Sequence, residues 1–185
     1  KEFLEFKKIK IPTVRSTSLF YYLNEYLKYG GFPRVVLEKD ESMKMKILQE
    51  YYNSIVEKDI ILRNRIKNVR EVKELLLFLV SNIGNQISTY NIEKNLHISN
   101  VNARRYFEYL QEAFLVDFVS LFSYKVRRQI YNPKKIYCQD TGLVHIASFQ
   151  FSENKGRLLE NVVFNHLKKE KFRNFVYNNR FDGNI

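Results

Sequence analysis

A single cysteine, Cys138, rules out a disulfide framework and any multi-thiolate zinc site. No base stands beside it in the sequence, so a nucleophilic role is set aside and it reads as a strand residue. Six glycines and three prolines leave few places where the backbone must turn or break, and most of the chain between them carries helical periodicity. Internal repeats and low-complexity segments are absent. No window of about 18 residues is apolar and uncharged throughout, and KEFLEFKKIK has no apolar run behind its charges. Neither a membrane span nor a signal peptide is read, and a cytoplasmic setting is expected. The pattern G-x-x-x-x-G-K-[ST] is missing, so nothing in the chain can cradle nucleotide phosphates in the P-loop manner. Acid is scarce relative to base: 20 Asp and Glu stand against 31 Lys and Arg, for a formal charge of +11.

What remains is 45% apolar and carries 13 tyrosines and 15 phenylalanines, enough to build a real core. The charge favours a polyanionic partner, duplex DNA first, although a lysine-rich surface with no partner accounts for the same balance. Ser18 to Tyr29 predicts an aromatic-rich helix ended by Gly30-Gly31. In GGFPRVVL, Pro33 and the β-branched pair predict extended backbone, and Asp40 to about Asn64 predicts one long amphipathic helix with an acidic first turn. Three shorter helices follow: Val69 to Ile83, roughly Thr89 to Leu96, and roughly Asn100 to Phe114. Ser88 and Ser99 stand at N-cap positions, and only His97-Ile98-Ser99 separates the last two helices. LVDFVSLF (Leu115 to Phe122) and KKIYCQ (Lys134 to Gln139) read as strands joined by SYKVRRQIYNPKK. The predicted class is mainly α with small β: a helical segment over 1–67, a winged helix-turn-helix over 68–150, and a further segment over 151–185.

The third helix of the winged unit predicts a core arc of Ala103, Tyr106, Phe107, Leu110, Ala113 and Phe114, with Asn100, Asn102, Arg104 and Arg105 on its exposed N-terminal half. Those residue types at that helix end suit base edges. Glu108 and Glu112 share the face, so a solvated helix with internal ion pairs fits as well. On the hairpin, Lys125, Arg127, Arg128, Lys134 and Lys135 form an acid-free run interleaved with Tyr124 and Tyr131. It suits gripping phosphates, but equally a solvated loop or a surface docked on an acidic domain. Placed on a helical wheel, GRLLENVVFNHLKK sets Glu160 in an apolar arc of Leu158, Leu159, Val162, Val163, Phe164 and Leu167, with Asn161 and Asn165 opposite. That carboxylate is a metal ligand, an ion-pair partner (Arg157 is the near candidate) or a rim residue. The three histidines are scattered without ligand spacing, and Asp182 in NNRFDGN reads as a hairpin turn.

Five ordered segments, YGGFPRVVL, YYNSIVEKDI, YFEYLQEAFLVDFVSLFS, NPKKIYCQDTGL and GRLLENVVFNHLKK, together resemble the portion after the ATPase core in archaeal and bacterial AAA+ ATPases with a C-terminal PD-(D/E)XK nuclease-like domain. The resemblance implies a lid-like helical segment at 1–67 and the truncated start of an α/β nuclease-like domain at 151–185. It places the P-loop core, with its ATP and magnesium, upstream of Lys1, so this fragment itself takes no cofactor and hydrolyses no ATP. The role implied is a DNA-binding, regulatory C-terminal region whose partners are duplex DNA and the upstream ATPase domain, with oligomerisation, where it occurs, through the parent. Two rivals follow: an interaction module docked on the ATPase core or another protein, and part of a metal-dependent nuclease in which Glu160 joins acids beyond Ile185. Arg34 and Lys58 depart from the family pattern, which usually has an acid and an arginine at those places.

Overall fold

Gly30 closes the first helix, α1 (Ser16–Tyr29), in the left-handed region at φ 73°, its N–H donating to the Tyr26 carbonyl at 2.8 Å. The computed structural model describes residues 16–125, 127, 132–148, 155–170 and 176–177. Just past the glycine pair the backbone departs from the extended run expected at GGFPRVVL, because Pro33 opens a short helix, α2 (Pro33–Leu37). A proline suits the first helical position, where its missing N–H is not needed and its φ is already right, and the turn buries Val35 and Val36. Asp40 caps α3 (Glu41–Ser54) by accepting from the Met43 N–H at 2.8 Å. The helix then runs without a break into a π-helix at Ile55–Leu62, so the single regular helix expected to about Asn64 is wider over its second part. Lys44 on α3 is only 4% exposed; its ammonium meets the Glu25 carboxylate at 2.5 Å and lies 4.8 Å from the centre of the Tyr29 ring. A buried charge persists because both partners are in place.

The middle of the chain alternates helix and strand: α4 (Val69–Ser81), β1 (Gln86–Ile87), α5 (Thr89–Leu96), α6 (Asn100–Glu112), β2 (Val116–Leu121) and β3 (Lys134–Cys138). Ser88 and Ser99 cap α5 and α6 through their side-chain oxygens, accepting from the Asn91 and Asn102 N–H groups at 3.1 and 3.3 Å. Between the two helices His97 turns the chain at φ 56°. The strands lie in the order β1-β3-β2-β4, where β1 and β2 are antiparallel to β3, and β4 (Val176–Tyr177) runs parallel to β2. The class is mainly α with small β, as the sequence predicts. One apolar cluster joins Leu27 and Val56 to Leu76 of α4, Leu110 of α6, Ile136 of β3 and Leu158, so side chains from all three stretches of the chain share it. Among the described residues no helix is long and apolar enough to cross a membrane.

After β3 the chain turns at Asp140 into α7 (Thr141–Ala147), and α8 (Lys155–Lys169) packs against the sheet. Thr141 Oγ1 donates to the Tyr26 carbonyl at 2.7 Å, and Asp140 Oδ2 accepts from the Gly31 N–H at 2.7 Å. These bonds fasten the corner after the sheet to the glycine pair more than a hundred residues earlier.

Candidate functional site

Helix α6 has two faces. Ala103, Tyr106, Phe107 and Leu110 are buried, but the helix ends at Glu112, so Ala113 is only half-buried and Phe114, at φ 53°, is 74% exposed instead of joining the core arc; the Tyr106 hydroxyl donates to Glu71 Oε2 at 3.0 Å. On the outer side Val101 is 67% exposed, and Arg104, Arg105, Glu108 and Glu112 reach solvent. The two asparagines read from sequence are half-buried, and Asn100 donates its side-chain amide to Glu93 of α5. Arg104 and Arg105 are therefore the members of that set which project outward.

Strand β2 returns along α6, as the stack of Phe118 on Phe107 shows, with ring centres 4.2 Å apart at 21°. The hairpin begins just past the end of β2, four residues on from that stack. Lys125 and Arg127 are exposed there, and Lys134 is half-buried at the start of β3. Arg128, Tyr131 and Asp182 lie outside the described residues. Lys135 leaves the basic run: its ammonium contacts Glu160 Oε1 at 2.8 Å, on the face of the sheet that α8 covers.

The arc assigned to α8 is corrected by its packing. Leu158, Asn161 and Phe164 are buried, whereas Leu159, Val163 and Leu167 face outward and Glu160 is half-buried. The side of the helix is decided by what the sheet offers. Glu160, Phe164 and Lys168, spaced four apart on one face, meet Lys135 and Tyr137, the ring of Tyr137, and Asp117 respectively. Phe164 stacks on Tyr137 with centres 4.1 Å apart at 10°, and Lys168 reaches Asp117 at 2.7 Å. The partner of Glu160 is thus Lys135 together with the Tyr137 hydroxyl at 2.6 Å, not the neighbouring Arg157. Burial raises the Glu160 carboxyl, but the hydrogen bonds from Lys135 and Tyr137 outweigh it and hold the group below its ordinary value. Among the described residues no group of three or more His, Cys, Asp or Glu stands ready to hold a metal ion. Asn161, expected on the side opposite the apolar arc, is instead fully buried, and its side chain bonds both backbone groups of Cys138; the signal was an i,i+4 pair of asparagines on a helix. Burial pushes the Cys138 thiol up to about 12, which leaves it inert as a nucleophile.

Asp140 is buried at the corner after β3. Burial raises its carboxyl to about 6 against the opposing pull of the Gly31, Gly142 and Leu143 N–H groups. A folded-state value above the unfolded one means that the native protein holds this proton more tightly. The associated stabilisation is complete below about pH 4 and is lost as pH rises through about 6. We expect a carbon-13 NMR titration of the Asp140 carboxyl to show a midpoint near 6. A midpoint near the ordinary aspartate value of about 4 would mean that water reaches the group.

A family model described as "Domain of unknown function (DUF8612)" matches residues 21–154, most of the chain. The chain belongs to the DUF8612 family. Two relatives share the sequence beyond that segment. The Uncharacterized protein MJ1544 of Methanocaldococcus jannaschii is 39% identical over 181 residues, covering 93% of this chain and 40% of the relative. An Uncharacterized protein of Haemophilus influenzae is 33% identical over 179 residues, covering 93% of this chain and 43% of the relative. The DUF8612 chain therefore spans under half the length of these curated relatives. No solved structure matches it.

Proposed function

We propose that this DUF8612 chain is a winged helix that binds duplex DNA, serving as the C-terminal regulatory region of an AAA+ ATPase and hydrolysing no ATP itself. The observation that carries the reading is the outer N-terminal face of α6. It exposes Val101, Arg104 and Arg105, and the hairpin that follows β2 exposes Lys125 and Arg127, with no acid from Phe118 through Gln139. The helix–strand–helix–helix–strand–strand order and the central place of β3 support it, since a helix so mounted enters a major groove while the hairpin reaches flanking phosphates. Guanidinium forks suit guanine edges, and an exposed valine suits a thymine methyl. The ATPase connection rests on the sequence resemblance. A second reading, docking on an ATPase core, draws on Glu108 and Glu112, which are exposed on the same helix.

Anisotropy titrations of labelled duplexes over a range of salt separate the two. Replacing Lys125 and Arg127 by alanine should lower the slope of log affinity against log salt by roughly one unit for each phosphate no longer neutralised. Arg104→Ala with Arg105→Ala should reduce discrimination between sequences more than nonspecific binding, because base contacts specify and phosphate contacts position. The docking reading prevails if all four substitutions leave DNA binding unchanged while the arginine pair abolishes association with an AAA+ core.

A further inference from the structure

Among the described residues, two stacked aromatic pairs are covered. Phe107 and Phe118 stack between helix and sheet, and Tyr137 and Phe164 stack under α8. Phe122 and Tyr124, where β2 gives way to the hairpin, are different. Phe122 is 43% and Tyr124 94% exposed, with ring centres 5.1 Å apart at 73°. An edge contact of this kind leaves the Tyr124 ring open to a ligand. Lys125 and Arg127 follow immediately and are exposed as well. Exposed aromatic rings among cations are the composition of a surface on which unpaired bases stack while their phosphates are neutralised.

Position makes the suggestion specific. Measured from the Phe107–Phe118 stack, β2 advances about 13 Å to Phe122, four residues at about 3.3 Å each. Helix α6 runs back about 9 Å over six residues to Val101 at about 1.5 Å each. The aromatic pair thus lies about 13 Å along β2 from the stack that joins this strand to α6. A base inside an intact duplex has no face to offer there, because both faces are stacked on neighbours. We propose that Phe122 and Tyr124 form a stacking platform for unpaired bases, so that the preferred ligand of this surface is DNA at a junction between duplex and single strand. The inference rests on the DNA-binding reading and adds the class of DNA.

The test compares one blunt duplex with the same duplex carrying a single-stranded tail of about ten nucleotides, a length within the range a single-strand groove covers. Anisotropy should show the chain binding the tailed form at least about fivefold more tightly. Phe122→Ala with Tyr124→Ala should bring the tailed form down to the blunt value and leave the blunt value unchanged, while Tyr124→Phe keeps the preference. A 2-aminopurine placed at the first unpaired position should change its fluorescence on binding the parent chain but not the double alanine variant. Both side chains are exposed, so thermal melts of the variants should match the parent. Equal affinity for the two DNAs, or an equal loss on both in the double variant, overturns the platform while leaving duplex binding intact. Binding to neither DNA overturns both readings together.

Discussion

Gly30→Ala should destabilise the protein by about 3 kcal/mol or more, combining left-handed strain with disruption of a buried, charge-assisted hydrogen bond. Gly30 lies at φ 73°, where an L side chain costs about 1 kcal/mol or somewhat more. A β-carbon there would also fall 1.7 Å from Asp140 Oδ1 and 2.4 Å from its Cγ, so the carboxylate must move. Movement is costly, because the carboxylate accepts from the Gly31 N–H at 2.7 Å and the Gly142 N–H at 2.8 Å in a buried setting. Urea melts give the measurement, with the midpoint falling at constant slope. Gly156→Ala is the control, since nothing lies within 4 Å of its built β-carbon and helix propensity favours alanine; it should be neutral or slightly stabilising. Asp140→Ala combined with Gly30→Ala should cost less than the two single changes added, because the clash disappears with the carboxylate. A Gly30→Ala cost of only about 1 kcal/mol, that of the strain alone, would falsify the close approach of Asp140.

Caps and glycines are local features, and they are where the sequence was most legible. Asp40, Ser88 and Ser99 each cap the helix that follows, because a short oxygen-bearing side chain before an apolar period has one good use. Gly30 and Gly84 take positive φ where helices were expected to end. Pro33 was misread because a proline between glycines and β-branched residues suits a strand as well as a first helical turn, and the buried places for Val35 and Val36 decided between them. The π-helix has no local signature at all. The exposure of Arg104 and Arg105 was legible, because the helical period alone decides which side of α6 they take. Lys135 and Glu160 were assigned separately, to hairpin and helix, because their pairing depends on α8 crossing the sheet. The same holds for Lys44, whose burial depends on Glu25, nineteen residues earlier.

Asn161 is the clearest case of a residue whose place depends on distant backbone, and Asn161→Leu should cost about 3 kcal/mol, from a buried donor left unpaired and the removal of a pair of hydrogen bonds. Its side chain is 0% exposed. Oδ1 accepts from the Cys138 N–H at 2.7 Å and Nδ2 donates to the Cys138 carbonyl at 2.8 Å. The two-residue β1 pairs only with Lys134 and Lys135, and Gly84 and Asn85 bond Ile136, so the edge of β3 has no strand left for Cys138. The amide of Asn161 stands in for that missing strand, presenting an acceptor and a donor as a backbone would. Leucine has similar bulk but neither group. The Cys138 carbonyl would keep Asn165, which donates to it at 2.9 Å, whereas the N–H would have no partner. Hydrogen exchange at the Cys138 amide reads this locally and should quicken in Asn161→Leu. Asn161→Asp refines the test. A carboxylate can accept from the N–H but repels the carbonyl, whereas a protonated carboxyl can serve both. Its folded-state value should therefore be raised, so the deficit of Asn161→Asp should shrink as pH falls below about 5 and grow again above it. A leucine variant that melts with the parent and keeps the Cys138 amide protected would mean that α8 is not what closes this edge of the sheet.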